Sequence, residues 1–193
     1  MKKVLFGAIV ALIAFGLWFL FTPGNTVIQR DVYARVCNDI VKSSLITPSS
    51  FEINRILSGD TELSLQQALA IRNYEGSTAS FKEFSQSVTR EKFERGEPYT
   101  KVSVSVKYSA ENQLGGRTAG IASCEFLEEG NPTPHNRTLT QVVLDDDVLE
   151  GDRLWAFFIQ NGRPERVRTS GSIELPSVSD RINYLIDPQI EAK

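Results

Sequence analysis

Tyr99-Thr100-Lys101-Val102-Ser103-Val104-Ser105-Val106-Lys107-Tyr108 is the stretch on which the fold turns. Val102, Val104, Val106 and Tyr108 alternate with Ser103, Ser105 and Lys107, the two-residue period of a strand with one dry and one wet face. Burial on one face only belongs to antiparallel sheets, because parallel strands are covered on both sides. A return strand is expected over residues 118–126, with Ala122, Cys124 and Phe126 on one face and Ser123 and Glu125 on the other. Residues 110–116, ending in Gly115-Gly116, form a turn-rich connection between the two.

The dry face needs a cover, and the sequence supplies one upstream. Thr26 is placed to cap a helix that runs to about residue 45. Val32, Tyr33, Val36, Cys37 and Ile40 recur at three- and four-residue spacing and make one apolar stripe. Arg30, Asp31, Arg35, Asn38 and Lys42 fall mainly on the other side. Pro48 stops the helix, and residues 51–57 follow as a first strand. The fold class expected is α+β: an amphipathic helix packed on an antiparallel sheet, preceded by a transmembrane helix.

That transmembrane helix is read from the N-terminus. Lys2 and Lys3 precede an uncharged run over residues 4–21, and Thr22-Pro23-Gly24 ends it. As a helix the run spans roughly 27 Å, close to the hydrocarbon thickness of a bilayer. The competing reading is a cleaved signal peptide. Its only exit, Ala14-Phe15-Gly16, would leave Leu17-Trp18-Phe19-Leu20-Phe21 exposed, so an uncleaved anchor is preferred. Basic residues before the run and none after it until Arg30 keep the N-terminus cytoplasmic. The expected layout is a cytoplasmic tip at 1–3, a bilayer-embedded anchor at 4–22 and an extracytoplasmic domain at 25–193, with a helical insertion at 59–97.

Two cysteines on the exported side, Cys37 and Cys124, stand 87 residues apart and both face the core. An oxidising compartment with no third thiol favours one disulfide between helix and strand, with two buried free thiols as the alternative. Closing so long a loop is worth about 4 kcal/mol in the chain-entropy model. His135 is the sole histidine, which leaves the two cysteines without a metal-ligand set.

Within the insertion, Leu63, Leu65, Ala68, Leu69 and Ile71 suggest a short helix after the Ser58-Gly59-Asp60 break. Phe81, Phe84, Val88 and Phe93 suggest another, stopped by Gly96 and Pro98. Residues 128–136 read as a loop and 139–144 as a third long strand. Residues 148–160 fit a helix with Gly162 beyond its end, or a buried strand at 155–159; the helix is preferred. Ser179-Asp180-Arg181 opens a short terminal helix that Pro188 halts.

The segments YARVCNDIVKSSLITPSSFEI and VSVSVKYSAENQLGGRTAGIASCEF, covering about residues 33–53 and 102–126, resemble a pattern in small bacterial exported proteins. There a helical cysteine, a proline-linked strand and an Asn-x-x-Gly-Gly hairpin lead to a second cysteine. The resemblance implies a bacterial envelope location and the same disulfide, and no activity; the insertion at 59–97 departs from it.

No catalytic signature emerges. Two of the 21 basic residues precede the anchor, which leaves 19 against 24 acidic ones beyond it; with a pI near 5.3, a nucleic-acid partner is excluded. Asp145, Asp146, Asp147, Glu150 and Asp152 match no calcium loop, and an acidic turn is the preferred reading. His135 lies in a Pro-rich stretch with no nucleophile to serve. Gly115-Gly116-Arg117-Thr118 lacks the lysine of a phosphate loop, and Asn136-Arg137-Thr138 is a glycosylation sequon. Trp155, Phe157 and Phe158 are assigned to the core rather than to a ligand surface. No cofactor or metal is expected. The function expected is a single-pass, inner-membrane-anchored periplasmic binding or assembly module with an envelope protein partner; a membrane-anchored envelope hydrolase and a cleaved secreted effector are the alternatives.

Overall fold

The computed structural model describes residues 26–71, 79–130, 136–168, 171–174 and 176–190. The anchor at 4–22 lies outside them, and among the described residues no helix is long and apolar enough to cross a membrane.

Helix α1, Thr26–Ser44, carries the expected stripe: Val32, Tyr33, Val36, Cys37 and Ile40 are all buried. A 3₁₀ turn at Pro48–Ser50 leads to β1, Glu52–Leu63. Two helices follow, α2 at Leu65–Ile71 and α3 at Ala79–Glu94. Then come β2 (Tyr99–Glu111), β3 (Arg117–Glu129), β4 (Asn136–Leu144) and β5 (Asp147–Glu150). Helices α4 (Gly151–Asn161) and α5 (Val178–Ile186) close the chain. The strands form one five-stranded sheet in the order β1-β2-β3-β4-β5, every neighbouring pair antiparallel.

Period-two alternation sorts the sheet into two faces. Val102, Val104 and Val106 of β2 stand beside Phe126, Cys124 and Ala122 of β3, and all six are buried in the core that α1 covers. Tyr33 stacks on Phe126 with ring centroids 4.3 Å apart. Cys37 and Cys124 are bonded across this layer, their Cα atoms 5.8 Å apart and both side chains fully enclosed.

The hairpin between β2 and β3 is built as its composition predicts. The Asn112 side-chain oxygen accepts from the amides of Leu114 at 3.0 Å and Gly116 at 2.9 Å, and Gly115 takes a positive φ of 76°. The Gly115-Gly116 pair is therefore a turn. The acidic run is a turn as well: Asp145 sits at φ 52°, a conformation that aspartate tolerates, and its carboxylate accepts from the Ile121 amide at 3.2 Å.

Four expectations need correction. Arg30, Asp31 and Asn38, read as lying mainly on the side of α1 away from its apolar stripe, are buried, because β3 and the C-terminal segment supply partners for them: Glu128 for Arg30, the Gln189 amide for Asp31 and the Gln189 side chain for Asn38. The first strand does not end at residue 57; Ser58-Gly59-Asp60 stays in register with Val104, Ser103 and Val102, so β1 runs to Leu63 and the helical insertion begins only at Leu65. A long partner strand holds residues of weak strand propensity in the ladder. Glu128 and Glu129 belong to β3 rather than to a loop. Residues 148–150 are strand β5, while the preferred helix stands as α4, closed by Gly162 at φ 86°.

Gly120 is fixed by its neighbour across the hairpin. A Cβ there would come within 2.4 Å of Tyr108 Cζ, because the tyrosine ring lies over the glycine. Gly120→Ala is expected to displace that ring from its packing against Phe51 and cost about 1–3 kcal/mol. Chemical denaturation measures this, and the loss should shrink in a Tyr108→Ala background, where the obstacle is gone.

Candidate functional site

The sheet face away from α1 is covered at one end only. There α2 and α3 build a small second core from Leu63, Ala68, Tyr99 and Leu127, with Ile71 and Phe93 packed against it. Among the described residues nothing covers the rest of the face. Cross-strand register places Leu57, Ser105, Ser123, Val143 and Val148 in one row across all five strands. Arg55, Lys107 and Ile121 form the next row, and Gly59, Ser103, Glu125, Gln141 and Glu150 the row on the other side.

Three apolar side chains stand out on this surface, with Leu57 40%, Ile121 54% and Val148 38% exposed. The serines between them keep the centre low. Lys101 and Glu125 neutralise one another at 3.0 Å, while Arg55 and Lys107 are exposed beside Ile121. On a chain with a formal net charge of −3, this corner is locally cationic. Short polar side chains, exposed aliphatics and a cationic edge make a surface suited to contact with a protein.

The opposite faces of the covered end hold two buried ion pairs, both rooted in the end of β3. Glu128 points to α1, where Arg30 Nη1 donates to its Oε1 at 2.6 Å and the Tyr33 hydroxyl donates to the same oxygen at 2.7 Å. Gln29 also donates to that oxygen and in turn accepts from Arg137 at 3.3 Å. Glu129 points to the other face and pairs with Lys92 of α3. Successive residues of one strand thus tie both helical layers to the sheet.

Burial, and after it the charge and hydrogen bond of Glu128, push the Tyr33 hydroxyl well above the usual tyrosine range. An unfolded tyrosine ionises near pH 10. Above that pH the unfolded chain holds fewer protons than the native one, so stability falls as pH rises, at up to about 1.4 kcal/mol per pH unit. Urea unfolding from about pH 9 to about pH 11 should show this decline, and Tyr33→Phe should flatten it. An unchanged slope in the variant would assign the decline to other groups.

The remaining sequence candidates are dispersed. Asp147 pairs with Arg153 at 2.6 Å and Glu150 accepts from Gln141 at 3.1 Å, so these two are engaged in local contacts. Among the described residues no group of three or more His, Cys, Asp or Glu converges as a metal site would require. His135 lies outside the described residues. Of the sequon, Asn136 is exposed at the start of β4 and Arg137 is buried. Phe158 is buried with Trp155 and Phe157 half-buried around it, each ring centroid 5.9 Å from its own, as core aromatics pack. A shallow recess beside the end of α1 is lined by Ser44, Ile46, Tyr108, Glu111, Thr118 and Asp145, the last of which is held by Ile121.

No protein-family model, curated protein or solved structure matches the chain.

Proposed function

We propose that the chain is a membrane-tethered binding or assembly module, anchored in the inner membrane through residues 4–22, that receives a protein partner on the open face of its sheet in the periplasm. One observation carries this reading: a broad sheet face, with Leu57, Ile121 and Val148 exposed beside Arg55 and Lys107, that no helix among the described residues covers. The disulfide agrees with an oxidising compartment. The apolar run and the lysines before it agree with an uncleaved anchor whose N-terminus is cytoplasmic.

A photo-crosslinking amino acid at Ile121, compared with one at the exposed Asp39 of α1, tests the surface in intact cells. A discrete adduct with one protein is expected at position 121 and not at 39. Equal capture at both positions, or none at either, would remove the face from consideration. The tether has its own readout. Intact mass of the membrane-extracted protein should include residues 1–16, and their loss would replace the anchor with a cleaved leader.

A further inference from the structure

We infer that β1 accepts an extended segment of a partner protein as an added strand, which pairs along residues 55–63 and continues the sheet; this narrows the partner of the binding reading above and rests on it. Edge strands are ordinarily made unattractive to other chains by shortness, proline, lysine or bulges. The edge at β5 follows that rule with four residues. β1 carries only part of such protection, one irregularity between Ile53 and Arg55 and the carboxylates of Asp60 and Glu62. It has 12 residues, no proline and no lysine, and from Arg55 its register with β2 is unbroken to Leu63. Its residues are exposed almost throughout, and among the described residues no backbone hydrogen bond reaches its outer edge. A row of unpaired amides and carbonyls beside an open face is what strand addition uses for affinity, with alternate side chains supplying choice.

Charge decides between a second copy and a different chain. Within residues 55–63, Arg55 shares the open face with Leu57, while Asp60 and Glu62 lie on the α1 face. Two β1 strands paired antiparallel about a two-fold axis normal to the sheet oppose only residues of the same face. Arg55 then never meets a carboxylate, and Asp60 and Glu62 meet each other or uncharged residues. Within residues 55–63 a second copy brings no complementary charge, and Glu52, before the irregularity, is already paired with Arg117. A segment with an acidic residue opposite Arg55, small apolar residues opposite Leu57 and Gly59, and basic residues opposite Asp60 and Glu62 satisfies every position.

The probe is a synthetic peptide of that pattern, as long as the regular stretch, added at about 1 mM to the full chain in detergent micelles. Amide hydrogen exchange of β1 is expected to slow by at least about tenfold, with no effect from the same peptide carrying N-methyl groups on alternate amides. No slowing, or equal slowing by the methylated peptide, overturns the inference. A dimer of the chain that dissociates on Leu57→Lys overturns it in favour of a second copy. If the peptide fails while the crosslinker at Ile121 still captures a protein, the strand inference falls alone. If both fail, the binding reading falls with it.

Discussion

Glu128→Ala is expected to lower folding stability by about 3–5 kcal/mol, a large share of what a domain of this size possesses. The carboxylate is 4% exposed, and it accepts hydrogen bonds from Arg30, Tyr33 and Gln29. Removing it leaves the Arg30 guanidinium enclosed with only Asp60 at 3.9 Å, and that aspartate's side chain is 64% exposed and screened by water. Arg137, register partner of Glu128 on β4 and itself 5% exposed, loses the carboxylate across the strands from it. Among the described residues its Nε has no hydrogen-bond partner. Two buried cations, one left with a distant solvated carboxylate and the other deprived of Glu128, are what make the alanine costly.

The expected order of variants separates this cause from loss of packing. Glu128→Gln keeps the shape and an accepting oxygen, so it should fall between wild type and alanine. Arg30→Met combined with Glu128→Leu removes both partners and should be milder than Glu128→Ala alone, since an absent pair leaves less uncompensated charge than a broken one. Guanidinium unfolding monitored by tryptophan fluorescence gives the three values. If Glu128→Ala costs less than about 1 kcal/mol, the pair is solvated in solution and its enclosure is not energetically important.

The way Glu128 escaped sequence reading is physical. It lies in the segment Phe126-Leu127-Glu128-Glu129, where two adjacent carboxylates before Gly130 look like the solvated end of a strand. Its cation is Arg30, 98 residues away, and no local pattern joins them. A trace of the pairing was present, because Arg30 precedes Tyr33 and Cys37 by three and seven residues and so continues the apolar stripe. The β2–β3 hairpin and the core-facing cysteines were legible for the opposite reason: each rests on alternation or spacing within a dozen residues. β1 was half legible, since Ser58-Gly59-Asp60 has the composition of a turn and only the ladder with β2 keeps it extended. The open face shows the same division. Ser103, Ser105, Ser123 and Glu125 declare its wet side, but that Leu57, Ile121 and Val148 join them depends on register across strands.

Replacing Cys37 and Cys124 together by alanine is expected to cost about 4 kcal/mol, almost all of it through the unfolded chain. Both sulfurs lie fully enclosed in the layer between α1 and the sheet, that of Cys37 beside the Val104 carbonyl. Their bond matters because it closes 87 residues of chain, from the middle of α1 to the middle of β3, and so restricts the denatured ensemble that includes β1, α2, α3 and β2. Two signatures follow. The unfolding transition should move to lower denaturant, and its slope should steepen, because an uncrosslinked denatured chain exposes more surface than a looped one. Mild reductant should leave the native protein unchanged, since both sulfurs are sealed from solvent, yet it should produce the same loss once the chain is unfolded and refolded in its presence. A shift in stability with an unchanged slope would place the effect in the native packing of α1 on the sheet. A total loss below about 1 kcal/mol would mean that the denatured chain is already compact enough for the staple to restrict little.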